Sequence, residues 1–164
     1  MRRSCDLGCE QAARARVVQL LHLPPLRDAV GASMTNPTNP WHAHVYYDME
    51  SWDTAQLVHQ QLSEMVVTGT CAGLVLVGQM YDRGVGPHLQ PQFEIQLYES
   101  AVPHITEILR ATGLTSLIHP LTDDDLADHT TLAQWIGGPL PLDESVLDPP
   151  GHNQGLARFG HEEF

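Results

Sequence analysis

Between residues 41 and 147 the apolar positions switch repeatedly between a period of two and a period near 3.6. Trp41-His42-Ala43-His44-Val45-Tyr46-Tyr47 alternates as a short strand, with Trp41, Ala43, Val45 and Tyr47 on the more apolar side and His42, His44 and Tyr46 on the other. Asp48 to Asp53 supplies turn and cap residues, after which Ala55, Val58, Leu62, Met65 and Val66 recur at helical spacing. Leu74 to Met80 is a nearly continuous apolar strand, Tyr81 to Pro87 a loop, and Gln92-Phe93-Glu94-Ile95-Gln96-Leu97 an alternating, half-exposed strand. A second helix follows, with Ser100 as cap, Pro103 in the first turn, Val102, Ile105, Ile108 and Leu109 as its buried stripe and Gly113 as its stop. Thr115-Ser116-Leu117-Ile118 makes a fourth strand ending at His119-Pro120. Thr122 or Asp123 then caps a third helix that runs to Gly137-Gly138, its early acids Asp123, Asp124 and Asp125 suiting the positive end of the dipole.

The order is βαββαβ plus a C-terminal helix, which predicts an α+β, ferredoxin-like split βαβ: an antiparallel sheet with helices on one face. The other face is expected to be bare and to call for a partner subunit. The best apolar run, Cys71 to Met80, has the length of a strand and not of a membrane span. No internal repeat is visible.

Charge divides the chain. Residues 1–33 hold five arginines against three acids, whereas residues 34–164 hold three against seventeen. The break at Met34 favours an upstream start that adds a leader before a beginning at Met34-Thr35-Asn36-Pro37, over a genuine basic arm. Asp6, Glu10, Arg14 and Arg16 interrupt the stretch where a secretion signal needs an apolar core. Residues 34–147 form the domain, and 148–164, opening on Asp148-Pro149-Pro150-Gly151, are expected to be a flexible tail.

Eight arginines, no lysine and twenty acids leave a formal charge of −12, a field that repels phosphate backbones and anionic membrane surfaces. Nucleic acid and membrane are therefore excluded as expected partners. Three cysteines, Cys5, Cys9 and Cys71, make no disulfide framework and suit a reducing, cytoplasmic compartment; Cys5 and Cys9 have no second ligand pair at zinc-site spacing.

Ten histidines are the feature to explain. His42 and His44, two apart on a strand, project to one side about 6.5–7 Å from each other, so two imidazoles converge. Paired surface polar residues are the plain alternative to metal ligation. His88 follows Gly86-Pro87 on a stiffened loop, and His119 ends the fourth strand beside Pro120. In a split βαβ the first strand lies between the third and the fourth, so all four could reach one pocket. His129 is in helical line with Leu126, Ala133 and Ile136, which suits either a core histidine bonded to a backbone carbonyl or a catalytic one. Arg83, five residues before His88, could fork onto a substrate carboxylate or pair with a neighbouring acid.

Four motifs in order, Trp-His-Ala-His-Val-Tyr-Tyr-Asp at 41–48, Asp-Arg-Gly-Val-Gly-Pro-His at 82–88, Leu-Ile-His-Pro-Leu-Thr-Asp-Asp-Asp-Leu-Ala-Asp-His-Thr at 117–130 and Trp-Ile-Gly-Gly-Pro-Leu-Pro-Leu-Asp at 135–143, resemble the DOPA 4,5-dioxygenase family of fungi and bacteria. The resemblance covers nearly all of 41–147. It departs from the family pattern after the loop histidine, where Leu89-Gln90-Pro91 stands, and at Glu94. It implies a small, dimeric, ferredoxin-like protein that uses non-haem Fe(II) and O2 to cleave a catechol such as L-DOPA outside its two hydroxyls.

Carried over by motif, His42 and His44 match the His-x-His strand, His88 the Gly-Pro-His loop, His119 the His-Pro end and His129 the Asp-His-Thr helix; among them His44, His88 and His119 are the expected iron ligands with His42 next, His129 is the expected acid–base group with His42 as substitute, and Arg83 and Tyr46 are the expected substrate contacts. Two histidines plus Glu94 would also serve as ligands. Zinc or nickel can replace iron as isolated, because both outcompete ferrous iron at nitrogen donors. The rival functions are a non-catalytic metal or small-molecule binding module on the same fold and, more remotely, a cofactor-free oxygenase.

Overall fold

The computed structural model describes residues 38–161. The basic leader, the Met34 boundary and the Cys5/Cys9 pair lie outside the described residues. Five strands, β1 (Pro40–Tyr46), β2 (Leu74–Val77), β3 (Gln92–Tyr98), β4 (Ser116–Pro120) and β5 (Gln134–Ile136), form one antiparallel sheet in the order β2-β3-β1-β4-β5. The first four follow the ferredoxin-like order, and β5 adds to the β4 edge.

Helices α1 (Trp52–Thr68) and α2 (Val102–Thr112) cover one face of the sheet. Their stripes, Ala55, Val58 and Leu62 from α1 and Ile105, Ile108 and Leu109 from α2, pack with Ala43, Val45, Phe93, Ile95 and Leu97 into a single core. Gly69, at φ 65°, closes α1 in the left-handed conformation that only glycine enters freely. Ser100 does not cap α2 with its side chain; it sits in a 3-10 turn, Glu99–Ala101, and Pro103 occupies the first helical turn as expected.

Three expectations from the pattern are corrected. The third helix is short: α3 (Asp125–His129) is capped by the Asp124 carboxylate, which accepts from the Ala127 N–H, and the chain then turns into β5. Thr130 and Thr131 are poor helix residues, and β4 offers an open edge whose backbone groups need partners. Gln134, Trp135 and Ile136 fill it opposite Ile118, Leu117 and Ser116.

Second, the sheet face away from α1 and α2 is covered. The loop carrying His88 is tied to the next loop by the Asp143 N–H donating to the Pro87 carbonyl at 2.9 Å, and α3 lies over β4. Gln92 and Gln96 are consequently buried, so β3 is not half exposed. Among the described residues, the sheet face expected to be bare is thus occupied by the chain itself.

Third, residues 148–161 hold structure. They include α4 (Gln154–Arg158) and the buried Asn153, whose amide donates to the Thr122 carbonyl at 2.8 Å and to Asp128 at 3.2 Å. Among the described residues, no helix is long and apolar enough to cross a membrane.

Candidate metal centre

Strand alternation decides which side chains reach the covered face. Ala43 and Val45 point into the core, so His42, His44 and Tyr46 must point the other way. On β4, Ile118 faces the core, which sends His119 to the same side as His42, its direct cross-strand partner. His88 arrives on the loop before β3 and His129 on the last turn of α3. All five histidines are buried, and they form one group: ring centroids lie 3.8 Å apart for His44 and His88, 4.3 Å for His119 and His129, and 5.6 Å for His42 and His119.

Within the group two sets of three place one nitrogen each within 4.8 Å of the others: His42, His44 and His119, and His44, His88 and His129. His44 belongs to both. His88 and His119, expected to act together, fall in different sets.

The hydrogen bonds fix which ring nitrogens remain open. The His119 Nδ1–H donates to the Pro120 carbonyl at 2.7 Å, and the His129 Nδ1–H donates to the Asp125 carbonyl at 2.9 Å with the Asp125 carboxylate at 3.2 Å. His44 Nδ1 lies 3.4 Å from Gln92 Oε1, so it too is the protonated nitrogen. Each of these rings therefore turns an Nε2 lone pair inward. The Nε2 atoms of His44 and His119 face each other at 3.2 Å, lone pair against lone pair, which is unfavourable until a cation or a proton is shared between them. His42 Nε2 is buried with no hydrogen-bond partner; the Glu94 carboxylate at 3.6 Å is beyond bonding distance. An Nδ1–H held by a carbonyl or carboxylate and an open Nε2 is how proteins orient metal-binding imidazoles.

Electrostatics agree. Burial, and then the neighbouring imidazoles, hold His44 and His119 well below the ordinary histidine range. Burial first, then His129 and His42, pushes His88 down to about 3. His42 is lowered by burial although Glu94 opposes it. The four are neutral at pH 7, the state a metal requires of its ligands. The donor set fits a nitrogen-bound first-row transition ion and not magnesium or calcium, which take oxygen ligands.

A cavity of about 340 Å³ opens beside the cluster and is lined by His42, His44, His88 and His129. That volume is at the small end of the ~300–1,000 Å³ typical of ligand pockets. Apolar atoms of Leu76, Val85, Pro87, Leu121, Val146 and Leu147 form much of its wall, and Glu94, Asp125, Asp148 and Arg158 supply its charges.

His119 and Tyr46 stand behind the cavity. His119 is fully buried, and the Tyr46 hydroxyl shares a 2.8 Å hydrogen bond with His88 Nδ1 while its ring stacks on Trp135 at 5.9 Å. Arg83 is exposed and does not line the cavity. The sequence reading missed Asp125, Asn153 and Arg158. Asp125 was legible, since a carboxylate four residues before His129 shares its helix face; the other two lie in the presumed tail.

Known proteins bear on the same stretch. An uncharacterised 21.2 kDa protein of Botryotinia fuckeliana is 30% identical over 81 residues, which are 42% of this chain and 43% of the fungal protein. The chain thus matches less than half the length of that relative. A crystal structure of a candidate dioxygenase from Nostoc punctiforme PCC 73102 superposes with a TM-score of 0.57 at 28% identity, covering 70% of this chain and 96% of the other. The model of the Dopa 4,5-dioxygenase family matches residues 41–146, the stretch that carries all five clustered histidines, and the chain belongs to that family.

Proposed function

We propose that the protein is a non-haem Fe(II) dioxygenase of the extradiol type, cleaving the ring of a catechol such as L-DOPA with O2. The observation that carries this function is the set His42, His44 and His119, whose open nitrogens gather within 4.8 Å beside a cavity sized for one aromatic ring. These three sit on two hydrogen-bonded strands, with His42 directly opposite His119, and are the proposed ligands. When bound, ferrous iron would supply open positions for both catechol oxygens and for O2.

The chain's own groups do the rest. His129 lines the cavity with its Nε2 free to accept the catechol proton, and Asp125 fixes the ring and stabilises it once charged. His88, held by Tyr46, borders the same space and can donate to or accept from a substrate hydroxyl. The apolar wall flanks the ring and keeps water from the reacting face. Ferrous iron and the buried free thiol of Cys71 both suit the cytoplasm.

Anaerobic loading with Fe(II), followed by oxygenated L-DOPA or simpler catechols, tests the function directly. The expected result is oxygen uptake with a new yellow chromophore. No uptake across a catechol panel by protein shown to hold iron would refute it.

A further inference from the structure

Four of the five clustered imidazoles are held through Nδ1, and one of the four differs from the rest. His44, His119 and His129 turn Nδ1 toward Gln92 Oε1, the Pro120 carbonyl and the Asp125 carbonyl, oxygens that can only accept. His88 Nδ1 instead meets a hydroxyl, that of Tyr46, at 2.8 Å. Both partners are fixed. Tyr46 ends β1, where its N–H donates to the Thr115 carbonyl at 3.0 Å and its ring stacks on Trp135. The His88 backbone exchanges two hydrogen bonds with Val85, at 3.0 and 3.2 Å.

The direction of the bond between Tyr46 and His88 follows from what else each atom can reach. Tyr46 is buried, and among the described residues its hydroxyl has no hydrogen-bond partner other than His88. Were the hydroxyl to accept from an Nδ1–H, its own proton would be left in the interior without an acceptor, at the full desolvation cost of a polar hydrogen. Donating to an Nδ1 lone pair satisfies it. A neutral imidazole whose Nδ1 accepts carries its proton on Nε2, the ring's other nitrogen, and His88 lines the cavity.

We infer that Tyr46 is a positioning residue that holds His88 in the Nε2–H tautomer, so that His88 meets the cavity as a hydrogen-bond donor and not as a metal ligand. The inference deepens the function proposed above, on which its catalytic part rests. The set His44, His88 and His129 is then one lone pair short, which leaves the strand set His42, His44 and His119 to hold an ion. A fixed N–H beside that set can donate to a substrate oxygen as negative charge grows on it, and such a preorganised dipole is worth most in a site shielded from water. Tyr46, expected to touch the substrate, acts through His88 instead.

Ring-nitrogen NMR on the metal-free chain, isotopically labelled in histidine, reads the tautomer directly, with the His88 signals identified by their loss in His88→Gln. The wild type should show His88 with a pyrrole-type Nε2 and a pyridine-type Nδ1, the reverse of His119 and His129. Tyr46→Phe, whose circular dichroism spectrum checks its fold, should replace this single pattern by a mixture of tautomers or by the opposite one. Added Zn(II) should shift the Nε2 signals of His44 and His119 and leave the His88 Nε2–H in place. On the iron-loaded chain Tyr46→Phe should lower kcat for a catechol by about fivefold, the change in tautomer population that one hydrogen bond commands, at nearly unchanged KM. A proton on His88 Nδ1 in the wild type, the same tautomer in Tyr46→Phe, Zn(II) bound through His88, or an unchanged kcat overturns the inference. Because the NMR arm needs neither iron nor turnover, absence of ring cleavage refutes the catechol function alone, and the tautomer is decided separately.

Discussion

Acid should unfold the metal-free protein well before its carboxylates are exhausted, and His88 sets the scale. In the folded chain its imidazole is held to about 3 by burial and by His129 and His42, against 6.5 when unfolded. Between those values the unfolded chain binds a proton that the folded chain refuses, so stability falls as pH falls. The contribution is intact above about 6.5 and has cost about 2 kcal/mol at pH 5. His44 and His119 are lowered in the same direction by burial and the neighbouring imidazoles and add to the loss, against a total stability of ~5–15 kcal/mol for a domain.

The neighbouring acids do not cancel this. Asp128, raised by burial, works the other way, whereas Asp125, lowered against burial by its bonds from His129 and the Asp148 N–H, adds to the loss at lower pH. Urea unfolding of the chelator-treated protein at pH 7.5 and 5 measures the effect, and His88 alone should shift the midpoint by about 1 M. His88→Asn should remove about 2 kcal/mol of the pH dependence. A metal-free protein equally stable at both values would show that the histidines are not held neutral, and the argument for an open ligand set would fall with it.

Four further outcomes follow from the same geometry. His44→Ala, which breaks both sets of three, should abolish metal binding and the rise in Tm that excess Zn(II) or Fe(II) gives the wild type, worth about 2.7 kcal/mol at a hundredfold excess over Kd. His88→Ala should keep the metal, read by elemental analysis, and lose turnover. Gly84→Ala places a Cβ 2.6 Å from the His88 carbonyl and 3.1 Å from Leu89 backbone atoms, so it should displace the His88 loop and lower kcat with little change in urea midpoint. Phe93→Ala, at a fully buried position in the helix-covered face, should cost about 3–5 kcal/mol in the same unfolding assay while leaving metal stoichiometry unchanged.

The alternation of β1 made most of the fold and the centre of the site legible together. Trp41 to Tyr47 announces both a core side and a histidine side, and β3 repeats the pattern, so the neighbours of β1 follow from the ferredoxin-like order. What the pattern could not show is what covers the histidine side. A segment with two prolines and three nearby glycines lacks the apolar periodicity that marks a packed element, yet residues 148–161 are held by polar bonds: Asn153 to Thr122 and Asp128, Gly151 to Asp123, Gly160 to Gln96. Side-chain capture of backbone leaves no periodic trace. The same blindness singled out Arg83, close to His88 in sequence, and hid Arg158, which tertiary packing brings to the cavity wall. At the third helix the miss was of period: a short run ending in Trp135-Ile136 suits a helix stripe or an edge strand equally, and the open side of β4 decided for the strand.

One register governs both faces of the sheet, and this binds the site to the stability of the fold. Slipping β1 by one residue would bury His42, His44 and Tyr46 among Phe93, Ile95 and Leu97 and expose Ala43 and Val45 to the cavity. The apolar core on one face thus specifies the ligand geometry on the other. Five imidazoles buried in a group, with two nitrogen lone pairs opposed at 3.2 Å, are costly to assemble, and the burial of eleven helix-facing core residues named above offsets that cost. A site held neutral and crowded in this way gains most from a ligand that brings positive charge to the nitrogens and is itself balanced by the nearby carboxylates Glu94 and Asp125. Strands fix where such an ion would sit; the loops and the C-terminal segment, free of that register, shape the cavity beside it.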